Sequence, residues 1–270
     1  MFCDKSKLLG IVIFVHNLES RGAYRLRNLL YSIRTQKNTV LKPDIIVVDQ
    51  SNDTSYKEIS EYCRKFNACH IYSKLDGMLW NKGLCLNYGI KKLSNEYIAC
   101  MDVDNILAPN FLQVVEKEIA ENKLLICKVW NSPSNLDLTG FKMEDYYSLL
   151  NQCELLNMGC ANGACQLSTK AWFHKVKGYN ESLKMWGGMD NELVQVAKFS
   201  NLDVQWMNGK TSIIHQYHIT KNFVDEWAKM GREQRQRNVE IYRRICASKK
   251  IERGENWGDL IISSTKDYGN

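Results

Sequence analysis

Short apolar runs alternate with amphipathic stretches over the first half of the chain. Leu8–Val15 is apolar throughout, as a strand covered on both faces should be. Ala23–Gln36 then places Leu26, Leu29, Leu30 and Ile33 at helical spacing. The pattern continues with a strand over Asp44–Val48, a helix over Ser55–Phe66 and a short strand over His70–Ser73. A helix over Asn81–Lys92 follows, then a strand over Tyr97–Met101, a helix over Asn110–Glu121 and a strand over Leu124–Trp130. Pro109 stands where proline favours a helix start. This alternation predicts an α/β fold with a mainly parallel central sheet flanked by helices. Such sheets bind ligands beyond the carboxyl ends of their strands.

After Trp130 the rhythm breaks. Asn131–Gly140 reads as a loop, Met143–Leu156 as a helix and Ala164–Ser168 as a strand. Asn191–Phe199 is a further helix. Val204–Met207 and Thr211–His215 read as paired strands joined by the turn Asn208-Gly209. Asn222–Ala247 is one long helix interrupted only by Gly231. The chain shows no internal repeat and no clear linker. One domain over 1–220 with a helical C-terminal extension over 221–270 is expected.

Composition adds limits. With 270 residues, 44% hydrophobic and 24% charged, the chain is long enough to bury a large core without disulfides. The ten cysteines include no C-x-x-C pair, which argues against a zinc site. Several lie inside apolar runs and favour a reducing, cytoplasmic setting. The first residues lack a signal-peptide pattern, and no segment reaches the ~20 apolar residues of a membrane span. The net charge of +6 is uneven: residues 221–253 hold ten Lys/Arg against five Asp/Glu. A solvated helix face accounts for this most simply. A peripheral contact with anionic lipid, through Arg232, Arg235, Arg237, Arg243 and Arg244, is the alternative. No nucleic-acid partner is expected.

The candidate chemistry begins with Asp102-Val103-Asp104, directly after the run Tyr97–Met101. Two carboxylates at i and i+2 on a strand end point to one face. Such hard oxygen ligands suit Mg²⁺ or Mn²⁺, and the ion can hold a diphosphate. Asp49 ends the second strand, where it can accept from a nucleotide base or ribose, or belong to a helix-capping turn. Lys82, in Trp80-Asn81-Lys82-Gly83, opens a helix and faces either a phosphate or solvent; spacing does not choose. In Trp186-Gly187-Gly188-Met189-Asp190-Asn191-Glu192-Leu193, the glycines permit close approach to a ligand. Asp190 then either caps a helix or serves as a general base. His215-Gln216-Tyr217-His218 follows the last strand, and a histidine there is structural or a metal ligand.

Taken in order, these residues resemble the GT-A-fold (Rossmann-like) glycosyltransferases, most closely family 2 and the β-1,4-galactosyltransferase group. Gly10–Asn17 is similar to their first strand and turn, and Asp44–Asp53 to the second strand and base-binding turn. Trp80–Ile90 is similar to the helix before the metal motif. Asp102-Val103-Asp104 matches the D-x-D element, Asn162–Ser168 resembles the acceptor-side strand, and Trp186–Leu193 resembles the W-G-G-E-D block. The resemblance spans Leu8 to His218.

The resemblance implies an inverting, metal-dependent transferase that moves a sugar from a nucleotide sugar, expected to be a UDP-sugar, to a glycan or lipid-linked acceptor. Residues 1–130 would form the nucleotide-sugar half and 131–220 the acceptor half. His16, Asn17, Asp49, Lys82, Asp102, Val103 and Asp104 would bind the donor. Asp104 and His215 would hold Mn²⁺ or Mg²⁺, with Asp102 on the ribose or the metal's water; motif position favours His215 over His218. Asp190 would be the base, with Trp186, Gly187 and Gly188 on the acceptor. Two positions depart from the pattern: Met189 replaces an acid beside the base, and Gln50 replaces a second Asp. Met189 leaves room for a non-catalytic carbohydrate-binding protein of the same fold. A nucleotidyltransferase is a further alternative, although His16–Gly22 lacks the glycine-rich loop expected of one.

Overall fold

Strand β1 (Leu9–Val15) is buried along its whole length. Leu9, Ile11, Ile13 and Val15 enter one core, while Val12 and Phe14 enter a second on the opposite face. That period-two division is what a strand covered on both sides requires. The computed structural model describes residues 5–16, 22–51, 55–75, 79–156, 162–185, 187–218 and 226–267.

Helix α1 (Tyr24–Arg34) leads to β2 (Asp44–Asp49), α2 (Tyr56–Lys65) to β3 (Cys69–Tyr72), and α3 (Lys82–Lys92) to β4 (Tyr97–Asp102). A short β5 (Asn105–Leu107) precedes α4 (Phe111–Glu118), β6 (Lys123–Ile126) and β7 (Val129–Asn131). Then come α5 (Tyr146–Leu150), β8 (Glu154–Leu155), β9 (Cys165–Thr169), α6 (Lys170–Lys175) and α7 (Met189–Phe199). Strands β10 (Asp203–Trp206) and β11 (Ile213–His215), helix α8 (Glu226–Ser248) and strand β12 (Ser264–Lys266) complete the order.

The larger sheet runs β10-β6-β9-β4-β1-β2-β3-β12. Its β4-β1-β2-β3 portion is parallel. Strand β9 lies antiparallel between β4 and β6, so the sheet is mixed and the two halves of the chain interleave at its centre. Side chains of α1, α2 and α4 fill one core, and those of α3, α6 and α7 the other. A smaller sheet, β5-β11-β7-β8, carries a third core around Tyr146, Phe141 and Ile214.

Four expectations change. The run Leu124–Trp130 is two strands, because the Lys128 N–H leaves the ladder and donates to Asn208 Oδ1 at 2.9 Å. The chain turns at Asn208-Gly209 as expected, with Thr211 N–H donating to Met207 O at 3.2 Å. The flanking strands do not pair with each other, however. β10 joins β6 in the large sheet and β11 joins β5 and β7 in the small one, where their apolar partners lie. Met143–Leu156 gives a 3-10 turn, the short α5 and strand β8, since Tyr146, Leu149 and Cys153 are its buried residues and anchor only a short helix. Finally, the C-terminal extension is helical over α8, but its tail returns to the sheet and pairs antiparallel with β3. Among the described residues no helix is long and apolar enough to cross a membrane.

Candidate active site

Strand β4 ends at Asp102, and β5 begins at Asn105. Val103 and Asp104 therefore form the turn between two sheets. The backbone holds that turn in place: Gln216 N–H donates to Asp104 O at 2.8 Å, and His215 stands opposite Asn105 in the β11–β5 ladder. The result is a cluster at one carboxylate oxygen. His215 Nε2 lies 3.2 Å and His218 Nε2 3.0 Å from Asp104 Oδ2. The other oxygen, Asp104 Oδ1, is buried with no hydrogen-bond partner among the described residues. Burial opposes ionisation of Asp104, but the two imidazoles outweigh it and hold its pKa well below the usual range. Burial likewise lowers the His215 pKa, and the Asp104 carboxylate more than reverses this.

These three residues fit a divalent cation. Their ligand atoms all lie within 4.8 Å of one another, and an orphaned carboxylate oxygen beside two imidazoles is what an absent ion would leave. Two imidazoles with one carboxylate suit Mn²⁺ better than Mg²⁺, which prefers oxygen alone. His218 thus joins the set beside His215. The spacing His-x-x-His was the available sequence signal, and motif position hid it. Asp102 is not part of this set.

Asp102 pairs with Lys82, whose Nζ lies 2.5 Å from Asp102 Oδ1 and 3.2 Å from Asp190 Oδ1. Asn81 caps α3 through a bond from Leu84 N–H at 3.0 Å, which directs Lys82 inward rather than to solvent. Burial works against the Lys82 charge, yet the two carboxylates raise its pKa. Asp102 is pushed up to about 6 by burial, with Lys82 opposing and Asp190 and Asp104 adding to the rise.

Asp190 lies in the first turn of α7 without capping it. The N-cap is Gly188, at φ 88° and with no side-chain cap bond. Gly187 has φ 101°, so both glycines adopt backbone that other residues resist. A methyl group on Gly163 would lie 2.5 Å from Asp190 Oδ2, so the bare backbone there admits the carboxylate. Gln166 donates to Asp190 O at 2.9 Å. Sequence reasoning did not single out Gly163 for this contact; only the tertiary approach reveals it.

Other expected residues fall differently. Asp49 is fully buried, with Oδ2 3.3 Å from His70 Nε2. A direct contact of Asp49 with a nucleotide base does not match that burial, because β3 brings His70 over it. His16 Nδ1 lies 2.8 Å from Gln50 O, and its ring packs beside Trp80. Gln50 Oε1 accepts from Asn81 N–H at 2.7 Å, so this departure from the family pattern ties β2 to α3. Val103 packs against the first core. Met189 is buried in the second core, its sulfur beside Gly83. It therefore does not face an acceptor, as expected of the acid it replaces. Asn17, Asp53 and Trp186 lie outside the described residues.

Comparison with known proteins identifies the family and the fold. The family model for glycosyl transferase family 2 matches residues 11–177, and that for the N-terminal domain of galactosyltransferase matches residues 157–220. A search of curated proteins returned no significant match. Among solved structures, S. aureus TarS 1–349 in complex with UDP-GlcNAc is 14% identical, with a TM-score of 0.56 over 79% of this chain and 59% of that one. GalNAc-T7 with UDP, GalNAc and Mn²⁺ is also 14% identical, with a TM-score of 0.60 over 89% of this chain and 49% of that one. The chain thus spans under two thirds of either relative's length. With a family model matching more than half of its residues, the protein belongs to glycosyl transferase family 2 and has the GT-A fold.

Proposed function

We propose that the protein transfers a sugar from a UDP-sugar to a hydroxyl of a glycan or lipid-linked glycan, with inversion at the anomeric carbon and with Mn²⁺ preferred over Mg²⁺. The observation that carries this reading is Lys82, which touches both Asp102 and Asp190. It joins the acidic pair and the general-base candidate in one site.

Asp104, His215 and His218 would hold the cation. When bound, that ion supplies Lewis-acid neutralisation of the leaving diphosphate. Lys82 turns to the phosphates as the donor enters and adds a second positive charge where negative charge develops. Asp102 then meets the ribose. Asp190 takes the acceptor hydroxyl's proton as that oxygen bonds to the anomeric carbon. The bond from that carbon to the diphosphate breaks, and UDP leaves with the electron pair. Attack from the face opposite the leaving group inverts the centre. Gly187 and Gly188 let the acceptor approach the backbone.

The lipid-linked acceptor rests on the exposed Arg232, Arg235, Arg237, Arg243 and Arg244 of α8, which suit a peripheral contact with an anionic membrane face. The free thiols of the described cysteines support a cytoplasmic setting. Charge reversal of these arginines should reduce co-sedimentation with anionic liposomes; unchanged binding removes the membrane contact.

The test is UDP release from UDP-GlcNAc, UDP-GalNAc, UDP-glucose and UDP-galactose across an acceptor panel, with and without Mn²⁺. Turnover lost in EDTA and in Asp190→Asn, with UDP still bound by that variant, is the expected result. Binding without turnover on every pair, or pyrophosphate release from a nucleoside triphosphate, overturns it.

A further inference from the structure

The segment that follows α8 lies outside both family matches, yet it returns to the helix that carries Asp190. Glu192 stands two positions after Asp190 in the first turn of α7. Arg253 Nη1 donates to Glu192 Oε1 and Nη2 to Oε2, both at 2.9 Å. Its Nε donates to Gly178 O at 3.0 Å. The side chains are 2% and 0% exposed. A bidentate guanidinium–carboxylate pair fixes orientation as well as distance.

Nearby contacts converge on the same stretch. Asn238 of α8 donates to Lys184 O at 2.8 Å and to Gly187 O at 3.1 Å. Gly258 N–H donates to Glu181 Oε1 at 2.6 Å. Gly178, Glu181, Lys184, Gly187 and Glu192 are therefore each held by a residue from beyond α7. Helix α7 has no side-chain cap of its own, so its first turn takes its aim from these contacts. Stability alone is a poor account of a buried ion pair, because well-packed apolar replacements are often neutral or better.

We infer that Arg253 is a positioning residue for the transfer reaction: through Glu192 it aims the first turn of α7, and with it Asp190, at the acceptor. This rests on reading Asp190 as the base.

The test measures kcat and acceptor KM for the donor–acceptor pair that the panel of UDP-sugars and acceptors identifies, together with UDP binding in Mn²⁺. The variants are Arg253→Lys, Arg253→Gln and the double variant Glu192→Gln/Arg253→Met. In every folded variant kcat should fall about 10- to 100-fold, the effect of a small misplacement of a reacting group, while UDP affinity stays unchanged. Arg253→Gln strands the Glu192 charge and can unfold the protein; Arg253→Lys and the double variant, which leave no unpaired charge, then decide. Wild-type kcat in any folded variant overturns the inference, as does a loss of UDP affinity matching the loss of kcat. Asp190→Asn separates the two readings. Transfer that survives in it defeats the base and this inference together; transfer lost in it but intact in the Arg253 variants defeats only the positioning.

Discussion

Lys82 and Asp190 stand 108 positions apart in sequence and 3.2 Å apart in the fold. The same ammonium holds Asp102, so one cation serves two carboxylates from different elements. Replacing Lys82 with Met leaves those carboxylates facing each other without a counter-charge. Transfer kcat/KM should fall by about 100-fold or more, and UDP affinity should fall with it. Steady-state kinetics beside calorimetry with UDP checks both; wild-type kinetics would make Lys82 a bystander.

The two histidines should prove equal partners in metal binding. His215→Ala and His218→Ala are each expected to weaken Mn²⁺ binding by at least about 10-fold, a loss that even outer partners of a ligand can cause. Electron paramagnetic resonance of free Mn²⁺ during titration measures this directly. Unchanged binding in His218→Ala would return the third ligand position to Asp102.

The same cluster predicts a pH dependence. The His215 pKa is raised: burial opposes the charge and Asp104 outweighs it. A raised histidine stabilises the metal-free fold below its unfolded value of about 6.5, and that contribution is lost as pH rises through the folded value. Asp104, with a lowered pKa, contributes above its unfolded value of about 3.9 and loses this only on acidification through the folded value. In EDTA the pair therefore stabilises most between about pH 4 and 6.5. Mn²⁺ needs the imidazoles neutral, so its effect on Tm should be larger at pH 8 than at pH 6. Thermal unfolding with and without Mn²⁺ at both pH values tests this, and an equal or reversed difference would refute it.

Gly163→Ala should damage transfer without unfolding the protein. Its methyl group would press on the far end of a flexible side chain, Asp190 Oδ2, which can swing aside. A kcat reduced about 10-fold or more is expected, with Tm within a few degrees of wild type. Full activity would show that Asp190 does not need its observed position.

Elements with a strong local period were readable from the chain. Strand β1 and helix α3 were expected within a residue of where they lie, because Leu9–Val15 is continuously apolar and Asn81 is a good cap. Pairing was not readable. Asn208-Gly209 does turn the chain, but its flanking strands answer to Leu124 and Ile126 on one side and Ile106 on the other. In the site, Asp104, Asp190 and His215 were marked by their sequence surroundings. The inward turn of Lys82, the burial of Met189 and the Asp49–His70 pair depend on neighbours far along the chain. No local pattern encodes those contacts.

The ladder between β5 and β11 has a wider meaning. His215 faces Asn105, so the imidazole is indexed to the acidic turn by counting backbone hydrogen bonds, as teeth index two gears. Side chains around the metal cluster can vary while the count holds. Removing one residue between Asn208 and Ile213 would shift the mesh by one tooth and turn His215 to the opposite face. Ser132 extends that mesh from β7: its N–H donates to His215 O at 3.0 Å, and its Oγ accepts from Tyr217 N–H at 2.9 Å. Chain length between β7 and β11 can therefore vary at the exposed Ser134 and Asn135, past Ser132 and short of the buried Leu138, while the metal cluster stays in place.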